Sequence, residues 1–139
     1  MDNLLVTITR TDLKVHFEGV SKDNPDISVP FDFAPPIGEG KGFAGLEMLL
    51  MTLAGCISTS LVFLLGRAGK HIESFCATAE GIRSERPMTL KEVRMAVKIK
   101  SDDVSQSDME TAIRQAEVMA PVWQAVKNNI LVKIDFELS

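Results

Sequence analysis

The sequence predicts a single α+β domain over residues 1–139, with the element order βββ-α-ββ-α-α-β. Three observations indicate this fold class. Apolar and polar residues alternate at both ends of the chain, a long charge-free segment lies near its middle, and a helix-start pattern follows in the second half. A domain of 139 residues can bury a core without disulfides or a structural metal. We therefore expect one hydrophobic core and no internal boundary.

Three strands are predicted before the first helix, because apolar residues alternate with polar ones in three short stretches. They are Leu5–Thr9, Leu13–Glu18 and Ile27–Phe33, and a turn-rich stretch from Ser21 to Pro25 separates the last two. The next segment, Ala34–Gly42, contains two Pro and three Gly and is predicted to be a loop. Such a loop is a natural place for a lid or the edge of a site.

The longest helix is predicted from Met48 to Leu65, where 18 consecutive residues carry no charge. It is apolar around its whole circumference, which is typical of a helix buried on all sides. A transmembrane span is the alternative, since about 18 residues at ~1.5 Å rise would cover about 27 Å. Gly55 and four hydroxyl side chains dilute the hydrophobicity, and amphipathic strands flank the segment. We therefore favour a central helix wrapped by sheets and expect no membrane association.

The second half of the chain is predicted to hold three strands and two shorter helices. Ser107-x-x-Glu110 has the spacing of a capping box and predicts the start of a helix, which Pro121 then interrupts near Met119. A short helical piece follows. The three strands are Ile72–Arg83, Val93–Lys100 and Ile130–Leu138.

Composition excludes several classes of function. The net charge of −4 and the dispersed Lys and Arg residues argue against a nucleic-acid partner. The N-terminus lacks a secretory signal, so we expect a cytoplasmic protein whose two cysteines are thiols. Their spacing completes no metal-ligand pattern with His16 and His71, which are expected on a strand face and at a helix exit. No nucleotide or flavin motif is present, and we expect no cofactor.

Cys56, in the middle of the long helix, is the first candidate for chemistry. A free Cys often packs in a core as a small apolar residue, and this interpretation of Cys56 remains open. Cys56 lies beyond the first turn, where the helix dipole acts, so a reactive thiolate would need a basic neighbour. The candidate activators, which are otherwise solvated charges, are Arg10, Arg83, Arg86 and Arg94.

Glu47 is the only charged residue at the front of this helix, nine residues before Cys56. Nine residues at about 100° each place the two side chains on opposite faces of a straight helix, roughly 13 Å apart along its axis. A direct contact within one helix is therefore excluded. Glu47 either complements the helix dipole or orients a basic residue that arrives from elsewhere. We keep it beside Cys56 as a candidate catalytic residue.

Two segments resemble a known family. Gly42–Cys56, read as GFAGLEMLLMTLAGC, is similar to the P-x-E-L-L-L-x-x-L-A-G-C segment of the OsmC/Ohr family, in particular its OsmC-like branch. Met119–Val122 resembles the family's second signature, C-P-V-S. The order of strands and helices agrees, so the resemblance spans nearly the whole chain. It implies an intertwined homodimer in which two sheets wrap a pair of central helices, with active sites at the subunit interface.

The resemblance also assigns roles to residues. In the peroxidase members, the helical Cys attacks an organic or fatty-acid hydroperoxide and becomes a sulfenic acid, which the second signature Cys captures as a disulfide. Cys56 matches the first of these, but Ala120 stands at the second, so that disulfide cannot form there. Leu46 stands where the peroxidase branch carries its site carboxylate. Cys76 matches no resolving position and is expected in the core.

Two hypotheses remain open at this point. The first is a one-Cys peroxidase that reduces organic hydroperoxides through Cys56 and draws on an external thiol as reductant. The second is a non-catalytic module that binds a small apolar ligand and keeps Cys56 as packing. The substitutions at Ala120 and Leu46 favour the second, and the presence of Cys56 favours the first.

Overall fold

The alternating segments at the two ends of the chain form two separate three-stranded sheets, and the apolar segment between them forms the longest of three helices. A computed structural model describes all 139 residues. The order βββ-α-ββ-α-α-β is observed, which confirms the α+β class. The chain divides into two compact units, Met1–Met48 and Leu49–Ser139.

The strands and helices are numbered in chain order. The strands are β1 (Val6–Arg10), β2 (Phe17–Ser21), β3 (Asn24–Phe31), β4 (Ser74–Glu85), β5 (Met88–Lys100) and β6 (Leu131–Leu138). The helices are α1 (Gly45–Arg67), α2 (Gln106–Met119) and α3 (Pro121–Val126).

In the first unit, β1, β2 and β3 form an antiparallel sheet in that order. The predicted second strand is displaced, because β2 begins only at Phe17. The preceding residues form a loop that polar side chains hold together. Asp12 Oδ1 accepts hydrogen bonds from the backbone N–H groups of Lys14 and His16, at 2.8 and 3.1 Å. Arg10 Nε donates to the Lys14 carbonyl at 2.7 Å. These local bonds compete with strand pairing and delay its start.

The third strand begins earlier than predicted, at Asn24, so the turn-rich stretch supplies the start of β3 as well as the turn. Pro25 therefore lies inside a strand. It is tolerated because β3 is at the edge of the sheet, where a missing N–H removes no bond from a central ladder.

The loop predicted at Ala34–Gly42 is present, and Asp32 organises it. Asp32 is only 5% exposed and accepts hydrogen bonds from three backbone N–H groups, those of Phe33, Glu39 and Lys41, at 2.7, 3.3 and 3.0 Å. Gly38 packs against this carboxylate, since a Cβ there would lie 2.1 Å from Asp32 Oδ1. One buried side chain thus ties nine residues of irregular backbone together.

Helix α1 is longer than the charge-free segment, because it begins one turn before Met48 and extends to Arg67. By length and composition it could cross a membrane, and 33% of its most apolar window is buried within the chain. The expectation that it is buried on all sides is wrong for the single chain. Met51, Val62 and Phe63 are 45, 42 and 53% exposed.

The second unit is built on a sheet in which β4 and β5 form an antiparallel hairpin and β6 pairs with β5 in parallel. One face of this sheet is apolar and packs against the helices. Leu50 of α1 lies so close to β4 that a Cβ on Gly81 would be 3.3 Å from its Cδ2 atom. The fully buried side chains of the core are Leu53, Ile57, Leu61, Leu65, Val93, Met95, Val97, Ile99 and Met109.

Helix α2 has a capping box, but it lies two residues before the predicted one. Ser105 Oγ accepts the N–H of Asp108 at 3.1 Å, and the Asp108 carboxylate accepts the N–H of Ser105 at 2.8 Å. The predicted pair, Ser107 and Glu110, lies within the helix instead. Pro121 ends the helix as predicted and occupies the first turn of α3, where its missing N–H costs nothing.

Candidate functional site

Cys56 lies in the middle of α1, at the border between the buried and exposed faces of the helix. Its neighbours Leu53 and Ile57 are fully buried, whereas the Cys56 side chain is partly exposed. The adjacent turn is held by Thr59 Oγ1, which donates to the Gly55 carbonyl at 2.9 Å. A rigid, packed helix therefore presents a partly accessible thiol. This arrangement suits a nucleophile that must be positioned but reachable.

Glu47 has a defined structural partner at the start of α1. Its Oε1 atom accepts a hydrogen bond from the backbone N–H of Ala44 at 2.8 Å. Glu47 occupies the third position of the helix, so this bond satisfies a donor that the first turn leaves open. The structure thus shows Glu47 at the start of the helix, where its charge complements the helix dipole and its carboxylate caps a backbone N–H. A catalytic role for Glu47 remains a prediction.

The structure locates the four arginines that were considered as activators of Cys56. Arg10 donates to loop carbonyls beside β1. Arg94 projects from the face of the second sheet that points away from the core, where it pairs with Glu80 and Glu92. Arg83 lies near the end of β4, and Arg86 lies in the turn between β4 and β5. Because Arg94 lies on the solvent face, it does not activate Cys56 of the same unit.

An apolar cleft of about 350 Å³ lies between α1 and β4. Helix residues of the turns around Gly55 form one wall, and Phe75, Ala77 and Ala79 form the other. Cys56 does not line the cleft, although the preceding residue does. The volume lies at the lower end of the range typical of small-ligand sites, about 300–1,000 Å³. The cleft could accept an apolar group, but its α1 residues lie on the side of the helix opposite to Cys56.

The prediction that Cys76 lies in the core is wrong. Cys76 is exposed on the outer face of β4, opposite Lys98 of β5. Its neighbours Phe75 and Ala77 point to the helix side instead, because successive strand residues alternate between faces. Trp123 and Ala120 are buried, at 5 and 0% exposure. The position of the second signature Cys is therefore a packed one.

The two histidines are not brought to Cys56 by any contact in the structure. His16 Nδ1 is hydrogen bonded to Thr11 Oγ1, and its Nε2 atom lies 3.9 Å from Glu18. His71 follows α1, and its backbone N–H donates to Asp103 at 2.9 Å. No group of three or more His, Cys, Asp or Glu side chains is placed to hold a metal ion.

Sequence reasoning missed Asp32, the one buried carboxylate of the chain. The sequence contains only a weak indication of the role of Asp32. An acidic residue that ends an apolar strand and precedes a Pro- and Gly-rich segment can satisfy the backbone N–H groups of that segment. Asp32 also contributes to an apolar pocket of about 270 Å³ with Phe31, Phe33 and Phe43.

Comparison with known families gives one match. The family described as OsmC-like protein matches residues 38–135, which include α1 with Cys56, β4, β5, α2, α3 and the first part of β6. A search of curated protein sequences returns no match.

Solved structures with this fold span nearly the whole chain at low sequence identity. An OsmC like protein from Mycoplasma pneumoniae is 18% identical, with a TM-score of 0.82 and coverage of 99% of this chain and 97% of that one. An organic hydroperoxide resistance protein from Elizabethkingia anophelis is 16% identical, with a TM-score of 0.74 and coverage of 100 and 98%. An organic hydroperoxide resistance protein OsmC from Legionella pneumophila is 14% identical, with a TM-score of 0.71 and coverage of 99 and 98%.

Proposed function

Because the chain belongs to the OsmC-like protein family, we propose that it is a one-Cys, thiol-dependent peroxidase that reduces organic hydroperoxides through Cys56. One observation carries the proposal. Cys56 is a partly exposed thiol on a helix whose flanking residues Leu53 and Ile57 are fully buried. The names of two solved structures with this fold, organic hydroperoxide resistance proteins, also support it.

The reaction requires one nucleophilic step on the peroxide. The Cys56 thiolate attacks the distal oxygen of R–O–O–H, an S–O bond forms, and the O–O bond breaks. The electron pair of that bond leaves on the alkoxide oxygen, which takes a proton and departs as the alcohol R–OH. Cys56 is oxidised to a sulfenic acid, and the peroxide is reduced by two electrons.

The sulfenic acid must be reduced from outside the chain. Ala120 has no sulfur, and Cys76 lies on the outer face of β4. A first external thiol displaces water from the sulfenic acid and forms a mixed disulfide with Cys56. A second external thiol attacks that disulfide and releases the Cys56 thiolate. Both cysteines are free in the structure, and we place the protein in a reducing cytoplasmic compartment.

We also propose that two copies associate through the exposed apolar side of α1. Met51, Val62 and Phe63 leave that side open to solvent in the single chain. In the first unit, β1 is an edge strand that is exposed along its whole length, with Val6 and Ile8 at 63 and 51%. Free strand edges and large apolar side chains are typical of surfaces that a second chain covers.

The alternative is a non-catalytic module that binds a small apolar ligand. The cleft between α1 and β4 favours it, because the cleft is lined by Leu50, Met51 and Ala54 while Cys56 lies outside its lining. In this version Cys56 fills space at the edge of the core. The two proposals differ in whether Cys56 changes its oxidation state.

The test is to treat the reduced protein with cumene hydroperoxide, trap sulfenic acid with dimedone and locate the adduct by mass spectrometry. Turnover with dithiothreitol is measured in parallel. We expect the adduct on Cys56 and catalytic reduction of the hydroperoxide. Cys56→Ser is expected to abolish both, and Cys76→Ser, the matched control on the outer face of β4, is expected to retain both.

Two results would overturn the peroxidase proposal. The first is an adduct found only on Cys76. The second is equal inactivity of the wild type and both Ser variants, provided that their circular dichroism spectra agree. The second result would favour the ligand-binding alternative.

A further inference from the structure

A second, larger groove lies on the second unit, away from the α1–β4 cleft. It has a volume of about 620 Å³ and runs between the end of α1 and one face of α2. Leu64 and Arg67 of α1 form one side, and Thr111, Arg114, Val118 and Met119 are among the residues on the other. These α2 residues recur three and four positions apart, so they share one face of the helix.

The groove holds two guanidinium groups without a carboxylate partner. Neither Arg67 nor Arg114 forms a salt bridge, whereas Arg94 on the outer sheet face forms two. Arg67 stacks over the Phe63 ring at 5.6 Å. Arg114 Nη2 donates to Thr111 Oγ1 at 3.3 Å. Each guanidinium has five N–H donors, so most of them are available to a ligand.

Two acidic side chains lie one turn from Arg114 on the same helix, Glu110 before it and Glu117 after it. Neither forms a salt bridge with Arg114 or lines the groove, and Glu110 Oε1 accepts a hydrogen bond from Gln106 at 3.0 Å. Neither guanidinium of the groove therefore has a carboxylate at salt-bridge distance. A ligand that supplies a negative charge would complete the hydrogen bonding of both arginines.

Apart from the two arginines, Thr111 and Gln115, the residues that line the groove are apolar. Val118 and Met119 are 75 and 42% exposed. A bare anion such as phosphate would leave these side chains in contact with water, and an uncharged hydrocarbon would leave both guanidinium groups without a partner. The groove is complementary to a ligand that has both parts.

We propose that this groove binds an aliphatic carboxylic acid, with its carboxylate on Arg67 and Arg114 and its chain against Leu64, Val118 and Met119. The groove volume of about 620 Å³ lies within the range of small-molecule sites. Planar guanidinium groups match the two oxygens of a carboxylate in a bidentate geometry. Burying Val118 and Met119 under the chain removes apolar surface from water and adds to the affinity.

The experiment compares octanoate, 1-octanol and acetate as ligands of the reduced wild-type protein, by calorimetry and by backbone amide shifts in NMR spectra. We expect octanoate to bind at least about tenfold more tightly than either of the other two, because only octanoate has both the charge and the chain. The largest amide shifts are expected in the second half of α2.

Two variants and one control locate the charge contribution. Arg67→Gln and Arg114→Gln should each weaken octanoate binding several-fold and leave octanol binding unchanged. Arg94→Gln, an arginine on the outer sheet face with its own carboxylate partners, should bind octanoate as the wild type does. The comparison of three ligands on the wild type stands even where a variant fails to fold.

Three results would overturn the proposal. They are equal binding of octanoate and octanol, no binding of octanoate at all, and undiminished octanoate binding by both Gln variants. An absence of peroxidase turnover would contradict the proposed function but leave this binding result intact. Loss of a dimer on Val118→Glu substitution, together with no octanoate binding, would show that a second copy occupies the groove instead.

Discussion

The carboxylate of Glu47 accepts a hydrogen bond from the backbone N–H of Ala44, 2.8 Å away, at the start of the helix that carries Cys56. This bond accounts for the presence of a single acid at the front of an otherwise charge-free helix. It closes one of the open donors of the first turn, and the negative charge complements the helix dipole. A carboxylate with this role can be required for folding without taking part in catalysis.

Substituting Glu47 distinguishes a role in folding from a role in catalysis. Glu47→Gln keeps an oxygen acceptor for the Ala44 N–H and removes the charge, so we expect a loss of stability below about 1 kcal/mol. If Glu47 only caps α1, the kcat/KM for cumene hydroperoxide should stay within twofold of the wild type in Glu47→Gln. A large fall in kcat/KM at unchanged unfolding midpoint would assign Glu47 a role in the reaction. Asp26→Asn, an exposed acid in β3, is the matched control.

The order of elements could be predicted because the patterns that define it are local. A strand alternates with period two and a helix with period 3.6 regardless of what packs on it. The predicted boundaries of strands and helices are wrong where side chains form hydrogen bonds to nearby backbone groups. Asp12 and Arg10 hold a loop where alternation predicts a strand. Ser105 and Ser107 both precede an acid at capping-box spacing, and periodicity does not distinguish them.

The environment of the two cysteines could be predicted only in part. Cys56 was assigned correctly to the long helix, because its surroundings are apolar on every side. The face of Cys76 is wrongly predicted because Ala77 and Ala79 on the inner face of β4 are smaller than Cys76 and Thr78 on the outer one. Such a strand carries little contrast between its faces. Its orientation is decided by pairing with β5, where Val97 and Ile99 are buried.

The exposure of Cys76 leads to a labelling prediction. A bulky polyethylene-glycol maleimide should modify Cys76 faster than Cys56, because Cys76 is exposed and Cys56 only partly so. The two modified species are separated by gel mobility, and Cys76→Ser should remove the fast one. Faster modification of Cys56 would contradict the placement of one of these two side chains.

The Asp32 carboxylate leads to a prediction about acid stability. The hydrogen bond from Lys41 N–H, aided by those from Phe33 and Glu39 and opposed by burial, lowers the pKa of Asp32 in the folded state. A lowered folded pKa contributes stability that is present above the unfolded value of about 3.9 and is lost as the pH falls below it. Asp32→Asn should therefore lower the urea midpoint at pH 7.

The difference between Asp32→Asn and the wild type should shrink as the pH falls from about 4 towards the folded pKa of Asp32. Urea unfolding between pH 7 and pH 3, followed by circular dichroism, measures it, and Asp26→Asn serves as the exposed control. Gly38→Ala tests the same cluster without changing charge. It should lower the midpoint at every pH, because the added Cβ would lie 2.1 Å from Asp32 Oδ1. A pH-independent effect of Asp32→Asn would contradict the electrostatic account.

The exposed side of α1 leads to a prediction about association. Val62 is 42% exposed beside Phe63 on a helix that has no charge between Met48 and Leu65. If a second copy covers this side, Val62→Glu would bury an unpaired carboxylate and should raise the dimer dissociation constant by at least about tenfold. Sedimentation velocity over a range of protein concentrations measures the constant.

Thr78→Glu, a matched change on the exposed outer face of β4, should leave the dissociation constant unchanged. Circular dichroism separates dissociation from unfolding, since a dissociated chain that keeps its helix still tests the interface. A wild type that sediments as a monomer at every concentration would remove the dimer. A Val62→Glu dimer as tight as the wild type would place the interface on another surface, and the edge strand β1 would then be the next to substitute.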